Sequence, residues 1–485
     1  MEATTNMVAS QTLGALISSV YGHQLPGVQH SAFGDLSAMI RDVTNDSKKV
    51  SHGSLFCCLI GSQTDGHDFA QEAVDAGAAA LLVQRKLPLN VAQVVVDDAR
   101  RAMGEFAAAL YEHPSRNLRV VGITGTNGKT STAHLLGAIF RQQGVKTRVL
   151  GTLSGARTTP ESCDLQKEMW QAHMDGAQAV VMEVTSHAMS LHRVVGTEFD
   201  AAVFLNLSPE HLDFHKTQEQ YFAAKASLFH SEFTNLGIIN RDDVYGRLLL
   251  DATNIETVSF GLDDVSEIEV SVSHHAFLWR GQKVRVNLGG KFNVLNSLAA
   301  ATAAASLGVG VADIVSGLAV ATSVAGRFES VAIDAPFDVI VDYAHTPDAL
   351  NRVLDATREV IAQGSRIILV FGCGGDRDKM KRPMMGMVAA QGSDCVIVTS
   401  DNPRSEDPLD IAQQIIAGVG DLERKAVVSV ELDRRTAIEL AMMTARRGDV
   451  VIIAGKGHET TQTIGDRIVP FNDVLVVQEL IGELS

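Results

Sequence analysis

The run Val120-Val121-Gly122-Ile123-Thr124-Gly125-Thr126-Asn127-Gly128-Lys129-Thr130-Ser131-Thr132 carries the residue types that bind phosphate. It reads as an apolar strand, a tight Gly-containing loop and a helix opening at Thr130. Loop N–H groups together with a helix N-terminus form an anion site. Lys129 would reach the outer phosphates, and the Thr130 hydroxyl would ligate Mg²⁺. The spacing departs from the common P-loop. Ile123 stands where that loop has its first glycine, so Gly125 opens a shorter Gly-x-x-Gly-Lys-Thr. The plain alternative is a Gly-rich turn with a solvated lysine; the strand before and the helix after weigh against it.

Further candidates fall just past apolar runs. Ala177 to Val184 ends in Glu183-Val184-Thr185-Ser186-His187, and Ala201 to Leu205 leads into Pro209-Glu210-His211-Leu212-Asp213. In open parallel sheets ligands gather at the carboxyl ends of strands. The shared placement of Glu183, His187, His211 and Asp213 therefore points to a nucleotide–metal site. Glu183 and His211 suit a divalent cation, and with no cysteine in the group Mg²⁺ fits better than Zn²⁺. Lys225, in an amphipathic segment from Tyr221 to Phe229, reads plainly as a surface lysine. Asn293 and Asn296 either cap the Ala-rich helix that follows or offer amides to a base edge. A later strand series ends in Asp342-Tyr343-Ala344-His345, Gly374-Gly375-Asp376-Arg377, Asp401-Asn402-Pro403-Arg404 and Gly455-Lys456-Gly457-His458-Glu459.

The elements that must position these groups alternate between strand and helix patterns, which predicts an α/β fold. The 485 residues exceed one ordinary core and call for several domains. Boundaries are expected near His113-Pro114-Ser115 and near Ile333–Pro336, giving an N-terminal α/β domain 1–112, a central parallel-sheet domain 113–333 and a Rossmann-like domain 334–485. The net charge of −16, from 41 basic and 57 acidic residues, argues against a generic nucleic-acid binder. The first residues lack a basic leader, and the apolar stretch Leu298 to Ala321 is Ala- and Gly-rich with Asp313 inside it. Neither a signal peptide nor a membrane span is expected. The five cysteines have no metal-ligand spacing and read as reduced, mostly buried thiols of a cytoplasmic protein.

Taken together, Gly125 to Thr130, Glu183-Val184-Thr185-Ser186-His187, His211-Leu212-Asp213, Asn293-x-x-Asn296, Gly326-Arg327-Phe328-Glu329 and Asp342 to Pro347 resemble the Mur ligase family in type and order. These are the ATP-dependent enzymes that build the peptidoglycan stem peptide. Asp46-Ser47, Thr158-Thr159-Pro160, Ala223-Ala224-Lys225, Gly374 to Asp378 and Gly455 to Glu459 are similar to the branch that adds the third stem residue. Asp401-Asn402-Pro403-Arg404 resembles the form that uses meso-diaminopimelate; lysine-adding relatives usually lack that arginine.

The resemblance implies three domains. The first would bind the UDP end of UDP-MurNAc-L-Ala-D-Glu, with Asn45, Ser47, Ser62, Gln63 and Thr64 as candidates. Arg157, Thr158, Thr159, Thr185, Leu191 and Arg193 would meet the muropeptide. The middle domain would hold ATP through Gly125, Thr126, Asn127, Gly128, Lys129, Thr130 and Ser131, with Asn293 and Asn296 near adenine and Arg327 and Asp342 on ribose or phosphates. Two Mg²⁺ are implied, on Thr130, Glu183, His211 and a Lys225 carbamylated by CO₂. Lys129, Glu183, His211 and Lys225 are the implied catalytic set. The last domain would take diaminopimelate at Arg377, Asp401, Asn402, Pro403, Arg404, Gly455 and Glu459, with Asp401 and Glu459 for the distal ammonium. A cytoplasmic monomer is expected.

Four positions depart from the family pattern: Arg157 for Asn, Leu191 for Gln, Asn45 for an apolar residue, and Pro209-Glu210 for Arg-Asp. The alternatives are a lysine-adding member and folylpolyglutamate synthase. A P-loop switch or motor would leave the third domain's strand-end groups idle, and a non-catalytic UDP-sugar binder would not need Lys129, Glu183 and His211.

Overall fold

The computed structural model describes residues 8–22, 30–61, 63–155, 157–208, 210, 212–420 and 426–484. The chain divides into two compact units, residues 1–261 with 299–314, and residues 262–298 with 315–485.

Among the described residues the first unit contains a two-stranded antiparallel pairing of Gln11–Thr12 with Met39–Ile40 and two large sheets. In the smaller, the spatial order is His30–Phe33, Ala92–Val96, Ala78–Val83, Ser54–Cys57, Asp42–Thr44; only the first pair is antiparallel. The helix Ala99–Leu110 covers it. Asp98 caps that helix by accepting from the Arg100 and Arg101 N–H groups. Ala99, Ala102, Met103, Phe106, Ala107 and Leu110 recur at helical spacing and are buried in the domain core. The helix also lies against the central region. A Cβ at Gly104 would come within 2.7 Å of the Val195 carbonyl oxygen, so the approach needs glycine.

The larger sheet has six parallel strands, ordered Glu256–Phe260, Leu236–Asn240, Ala201–Phe204, Arg119–Thr124, Ala179–Glu183, Thr147–Leu150. Its central strands are buried along their length, as a parallel sheet covered on both faces requires. Later strands are laid on both sides of Arg119–Thr124. The chain order therefore reverses at this strand, and the crevice at its carboxyl end is a topological switch point.

The second unit begins with an antiparallel sheet of Val265–Val270, His275–Trp279 and Gln282–Val286. The preceding strand, Glu256–Phe260, pairs in parallel with the central sheet instead. The third large sheet runs Glu329–Ser330, Asp338–Asp342, Val450–Ala454, Ile367–Phe371, Cys395–Val398, Val427–Val430, antiparallel only at its first pair. It takes its first strand from ahead of residue 334, because Glu329 pairs with Val341. Beside it a hairpin joins Thr461–Ile464 to Arg467–Pro470.

The Ala-rich stretch forms parts of two helices, Phe292–Ser306 and Val311–Ala319. Among the described residues no helix is long and apolar enough to cross a membrane. All five cysteines are free, and four are buried.

Candidate active site

The phosphate loop leaves the strand Arg119–Thr124 at the switch point and enters the helix Lys129–Gln142. Gly128 holds φ at 85°, a left-handed value that lets the chain turn into the helix. The helix has no side-chain cap, so its first N–H groups are left for an anion. The neighbouring strand's continuation braces the loop. Thr126 N–H donates to the Asn206 carbonyl at 3.0 Å, and Asn127 N–H to the Asn206 side-chain oxygen at 2.9 Å. The Thr126 hydroxyl lies 3.1 Å from the Tyr221 hydroxyl and accepts from the Ser208 N–H. Lys129 folds back to donate to the Gly125 and Thr126 carbonyls at 2.7 and 2.9 Å. Ser131 is buried in the helix's first turn.

Thr130 donates its hydroxyl to Glu183 Oε1 at 3.0 Å. Glu183 ends the adjacent strand and is 2 % exposed. Thr152 N–H also donates to Oε1, at 2.9 Å. A Cβ on Gly151 would fall within 2.8 Å of the Glu183 Cγ, so a glycine there leaves room for this carboxylate. The donor set of hydroxyl and carboxylate is hard oxygen and fits Mg²⁺. Among the described residues no three His, Cys, Asp or Glu gather into a metal cage. His211 and Ser62 lie outside the described residues.

Lys225 corrects the surface reading. It lies on the helix Gln218–Ala226 and is 1 % exposed. The helix packs this residue inward beneath the loop, where its ammonium donates to the Gly125 carbonyl at 2.9 Å and sits 4.7 Å from the Tyr221 ring centre. Burial pushes its pKa well below the usual lysine value, and the nearby Lys129 charge pushes the same way. The neutral amine, a nucleophile, is thereby favoured.

The muropeptide candidates divide into two groups. Thr159 donates to the Glu183 carbonyl at 2.9 Å and accepts from Thr185 N–H, while Thr158 lies 3.2 Å from the Thr152 hydroxyl. Thr185 caps the short helix Ser186–Ser190, and Leu191 follows it, half-buried. Arg157 and Arg193 both pair with Glu161, at 2.7 and 3.0 Å, and Arg100 reaches the same carboxylate at 3.3 Å. Three guanidiniums around one buried carboxylate leave an excess of positive charge beside Thr158 and Thr159. Sequence reading missed Glu161 and Arg100, which lie in different domains of the pattern and show no shared motif. In the N-terminal sheet, Ser47 opens a 3₁₀ turn capped by Asp46. Thr64 accepts from Gly61 N–H beside Gln63, and Asn45 accepts from the Cys163 thiol.

In the second unit Asn293 is fully buried, donating to the Gly289 carbonyl and accepting from Asn296 at 2.8 Å. The Asp342 carboxylate takes N–H groups from Phe328 at 2.6 Å and Ala344 at 2.8 Å. Burial raises its pKa, and these two donors oppose the rise. The Arg327 guanidinium stacks on Tyr343, 5.0 Å from the ring centre.

Asp401, Asn402 and Pro403 are buried, and Arg404 is partly exposed with its guanidinium on the Gly375 carbonyl at 2.6 Å. Asn402 donates to Glu459 at 2.8 Å. Gly455 adopts φ of 109° between the strand and this loop. Arg377 is exposed. Burial raises the Asp401 pKa against the lowering effects of Arg434 and Lys456. Neither of these cations was singled out from sequence.

Three family models match the chain: the Mur ligase family, catalytic domain, over residues 39–115, the Mur ligase middle domain over 123–304, and the Mur ligase, glutamate ligase domain over 326–457. A UDP-N-acetylmuramoyl-L-alanyl-D-glutamate–2,6-diaminopimelate ligase of Clostridium acetobutylicum is 41 % identical over 93 % of this chain and 96 % of its own. A protein of the same name from Aquifex aeolicus is 41 % identical over 91 % and 94 %. A solved structure of a ligase of that name superposes with a TM-score of 0.70 at 30 % identity, covering 98 % of this chain and 99 % of the other. With the phosphate loop, the Thr130–Glu183 pair and the buried Lys225 arranged on one switch point, and matches of this extent, the chain belongs to the Mur ligase family.

Proposed function

We propose that this chain joins meso-diaminopimelate to the D-Glu γ-carboxylate of UDP-MurNAc-L-Ala-D-Glu, with ATP converted to ADP and phosphate, in peptidoglycan synthesis. The observation that carries this reading is the 41 % identity over 93 % of the chain to a ligase named for that reaction. In the first step a γ-carboxylate oxygen attacks the ATP γ-phosphorus, the bond to the β,γ-bridging oxygen breaks, and ADP leaves. The resulting acyl phosphate has a leaving group that a free carboxylate lacks. In the second step an amine of diaminopimelate attacks the acyl carbon. A tetrahedral intermediate forms, phosphate departs with the bonding electrons, and the nitrogen loses a proton.

The protein's work is positioning and charge neutralisation. The uncapped helix start and Lys129 hold phosphate oxygens. Asn206, Ser208 and Tyr221 keep the loop in shape for them. Arg157 and Arg193 meet the carboxylates of the muropeptide, oriented by Glu161. Thr130 and Glu183 would hold Mg²⁺, which when bound would neutralise phosphate charge. The family resemblance adds His211 as a further candidate ligand for that ion.

Lys225 is read as the site of a carbamate. Its neutral amine attacks the carbon of CO₂, an N–C bond forms and a proton is lost, so that a neutral amine becomes an anion that could hold a second Mg²⁺. Burial beside Lys129 supports this, because it favours the amine over the ammonium. Segments 1–112, 113–333 and 334–485 are assigned to the UDP end, to ATP and to the amino acid, in a cytoplasmic monomer. Asn293, Asn296, Arg327 and Asp342 serve the nucleotide, and Arg377, Asp401, Arg404 and Glu459 the amino acid.

The test is ADP release in the presence of UDP-MurNAc-L-Ala-D-Glu, comparing meso-diaminopimelate with L-lysine. Release that needs the muropeptide and diaminopimelate together supports the assignment. Release with lysine at equal efficiency favours the lysine-adding alternative, and release from ATP alone removes both.

A further inference from the structure

Lys456 is a fully buried lysine in a place where burial has to be compensated. It is 0 % exposed. An ammonium in such a place is retained only if its donors are paired. It donates to the Thr461 carbonyl at 2.7 Å and to Glu459 Oε2 at 3.1 Å, and lies 3.9 Å from Asp401 Oδ1. Gly455 and Gly457, with φ of 109° and 52°, turn the backbone on either side of it. A Cβ at Gly457 would meet the Tyr343 Cβ at 2.7 Å, so the turn that aims Lys456 inward depends on glycine.

Asn402 repeats the same pattern of contacts. Its amide donates to Glu459 Oε2 at 2.8 Å and to Asp401 Oδ1 at 3.3 Å, and its own oxygen accepts from Thr463 N–H at 2.9 Å. The hydrogen bonds from Lys456 and Asn402 therefore fall on one oxygen of each carboxylate. Glu459 Oε1 and Asp401 Oδ2 receive none of them. Behind this group Arg434 and Asp473, both 0 % exposed, satisfy each other through two bonds of 2.7 Å. That leaves two carboxylates facing one lysine, with one negative charge uncompensated. Two like charges this close do not stay ionised and in register unless a cation holds them.

We infer that Lys456 is a positioning residue, clamping Asp401 and Glu459 into a paired-carboxylate receptor that takes the distal ammonium of the amino-acid substrate. The inference rests on the amino-acid pocket read above. Lys456 does not touch the substrate. Its hydrogen bond to Glu459 Oε2, together with the Asn402 bond to Asp401 Oδ1, leaves Glu459 Oε1 and Asp401 Oδ2 turned away from the clamp, and its charge sets the receptor at one negative, matched to one ammonium. Removing it leaves two carboxylates that share a proton or separate, and the substrate ammonium must then displace that proton or re-form the pair.

The test uses the full-length enzyme and three amino acids: meso-diaminopimelate, 2-aminopimelate, which lacks the distal ammonium but keeps both carboxylates, and L-lysine. Lys456→Met removes the charge at similar length. Lys456→Gln keeps a donor for the Thr461 carbonyl and is measured beside it, so that a failure of the Met variant to fold still leaves the charge tested. The expected result is a KM for meso-diaminopimelate raised about tenfold or more, with the KM values for ATP and the UDP-muropeptide within twofold of wild type and the KM for 2-aminopimelate little changed. In a Glu459→Gln background the Lys456 substitution should add less than it does alone. An unchanged or lowered KM for meso-diaminopimelate in a folded variant overturns the inference, as does an equal loss with 2-aminopimelate. If wild-type enzyme does not prefer meso-diaminopimelate over 2-aminopimelate, it is the amino-acid pocket itself that is misassigned.

Discussion

The Lys225 ammonium donates to the Gly125 carbonyl at 2.9 Å across a hundred positions of sequence. The contact ties the helix Gln218–Ala226 to the first glycine of the phosphate loop. It also places a buried, pKa-lowered amine within the charge field of Lys129. Lys225→Ala is therefore expected to lower ligation by about 10²-fold or more, the order seen when one preorganised charge is removed, while ATP still binds. With ¹³CO₂, a carbamate carbon resonance should be present in wild type and absent in the variant. Full activity in Lys225→Ala would sink the carbamate reading.

Glu183 accepts from Thr130 and from Thr152 N–H, so its carboxylate is held in place. Glu183→Gln keeps the shape and loses the charge. Turnover is expected to fall by about 10²-fold, and half-saturation by Mg²⁺ to shift upward. A Mg²⁺ titration of ADP release checks both, and an unchanged midpoint would separate Glu183 from the metal.

Arg404 holds φ at 52° and is partly exposed, with one guanidinium nitrogen on the Gly375 carbonyl. A planar donor fork suits the distal carboxylate of diaminopimelate. Arg404→Ala should cost about 2–4 kcal/mol of diaminopimelate binding, a KM increase of about 30-fold or more. The KM for ATP should stay put. Steady-state kinetics with each substrate varied in turn decides it.

Arg434 and Asp473 form a doubly hydrogen-bonded pair with both side chains fully buried. Removing one partner strands the other's charge, at a cost of about 3–5 kcal/mol. Asp473→Asn and Arg434→Met should each lower the melting temperature of the second unit, seen as a shift of one calorimetric transition. The double variant should recover part of the loss, because no charge is left unpaired.

His275 is fully buried, with Nδ1–H donating to the Leu288 carbonyl at 2.6 Å and Nε2 accepting from the Ser297 hydroxyl at 3.0 Å. Burial lowers its pKa from 6.5 to about 4, against the smaller raising effect of the Leu288 carbonyl. Between these values the unfolded chain binds more protons than the folded one, so stability rises with pH through that window. Falling from pH 7 to pH 4 should remove about 3 kcal/mol through this group. His275→Gln is expected to flatten the slope of melting temperature against pH in that range.

The short motifs fixed the chemistry before any contact was known. Gly125 to Thr130 after an apolar run, and Glu183 at the end of the next buried strand, already imply a phosphate site at a sheet edge, because period and strand length are local properties. Asp401-Asn402-Pro403-Arg404 likewise raised the expectation of a substrate with a second carboxylate, through its arginine. What the sequence could not supply were facts about burial and charge balance between distant segments. Lys225 reads as a surface lysine on a helix of weak periodicity, and only packing beneath the phosphate loop buries it and pushes its pKa down. Glu161 acquires Arg100, Arg157 and Arg193 from three separate stretches. Lys456 is one residue of a Gly-rich loop until the fold sets Asp401, Glu459 and Thr461 around its ammonium. Residue type and spacing determine which groups are available; desolvation and the sum of nearby charges, which set their protonation and partners, exist only once the chain has folded.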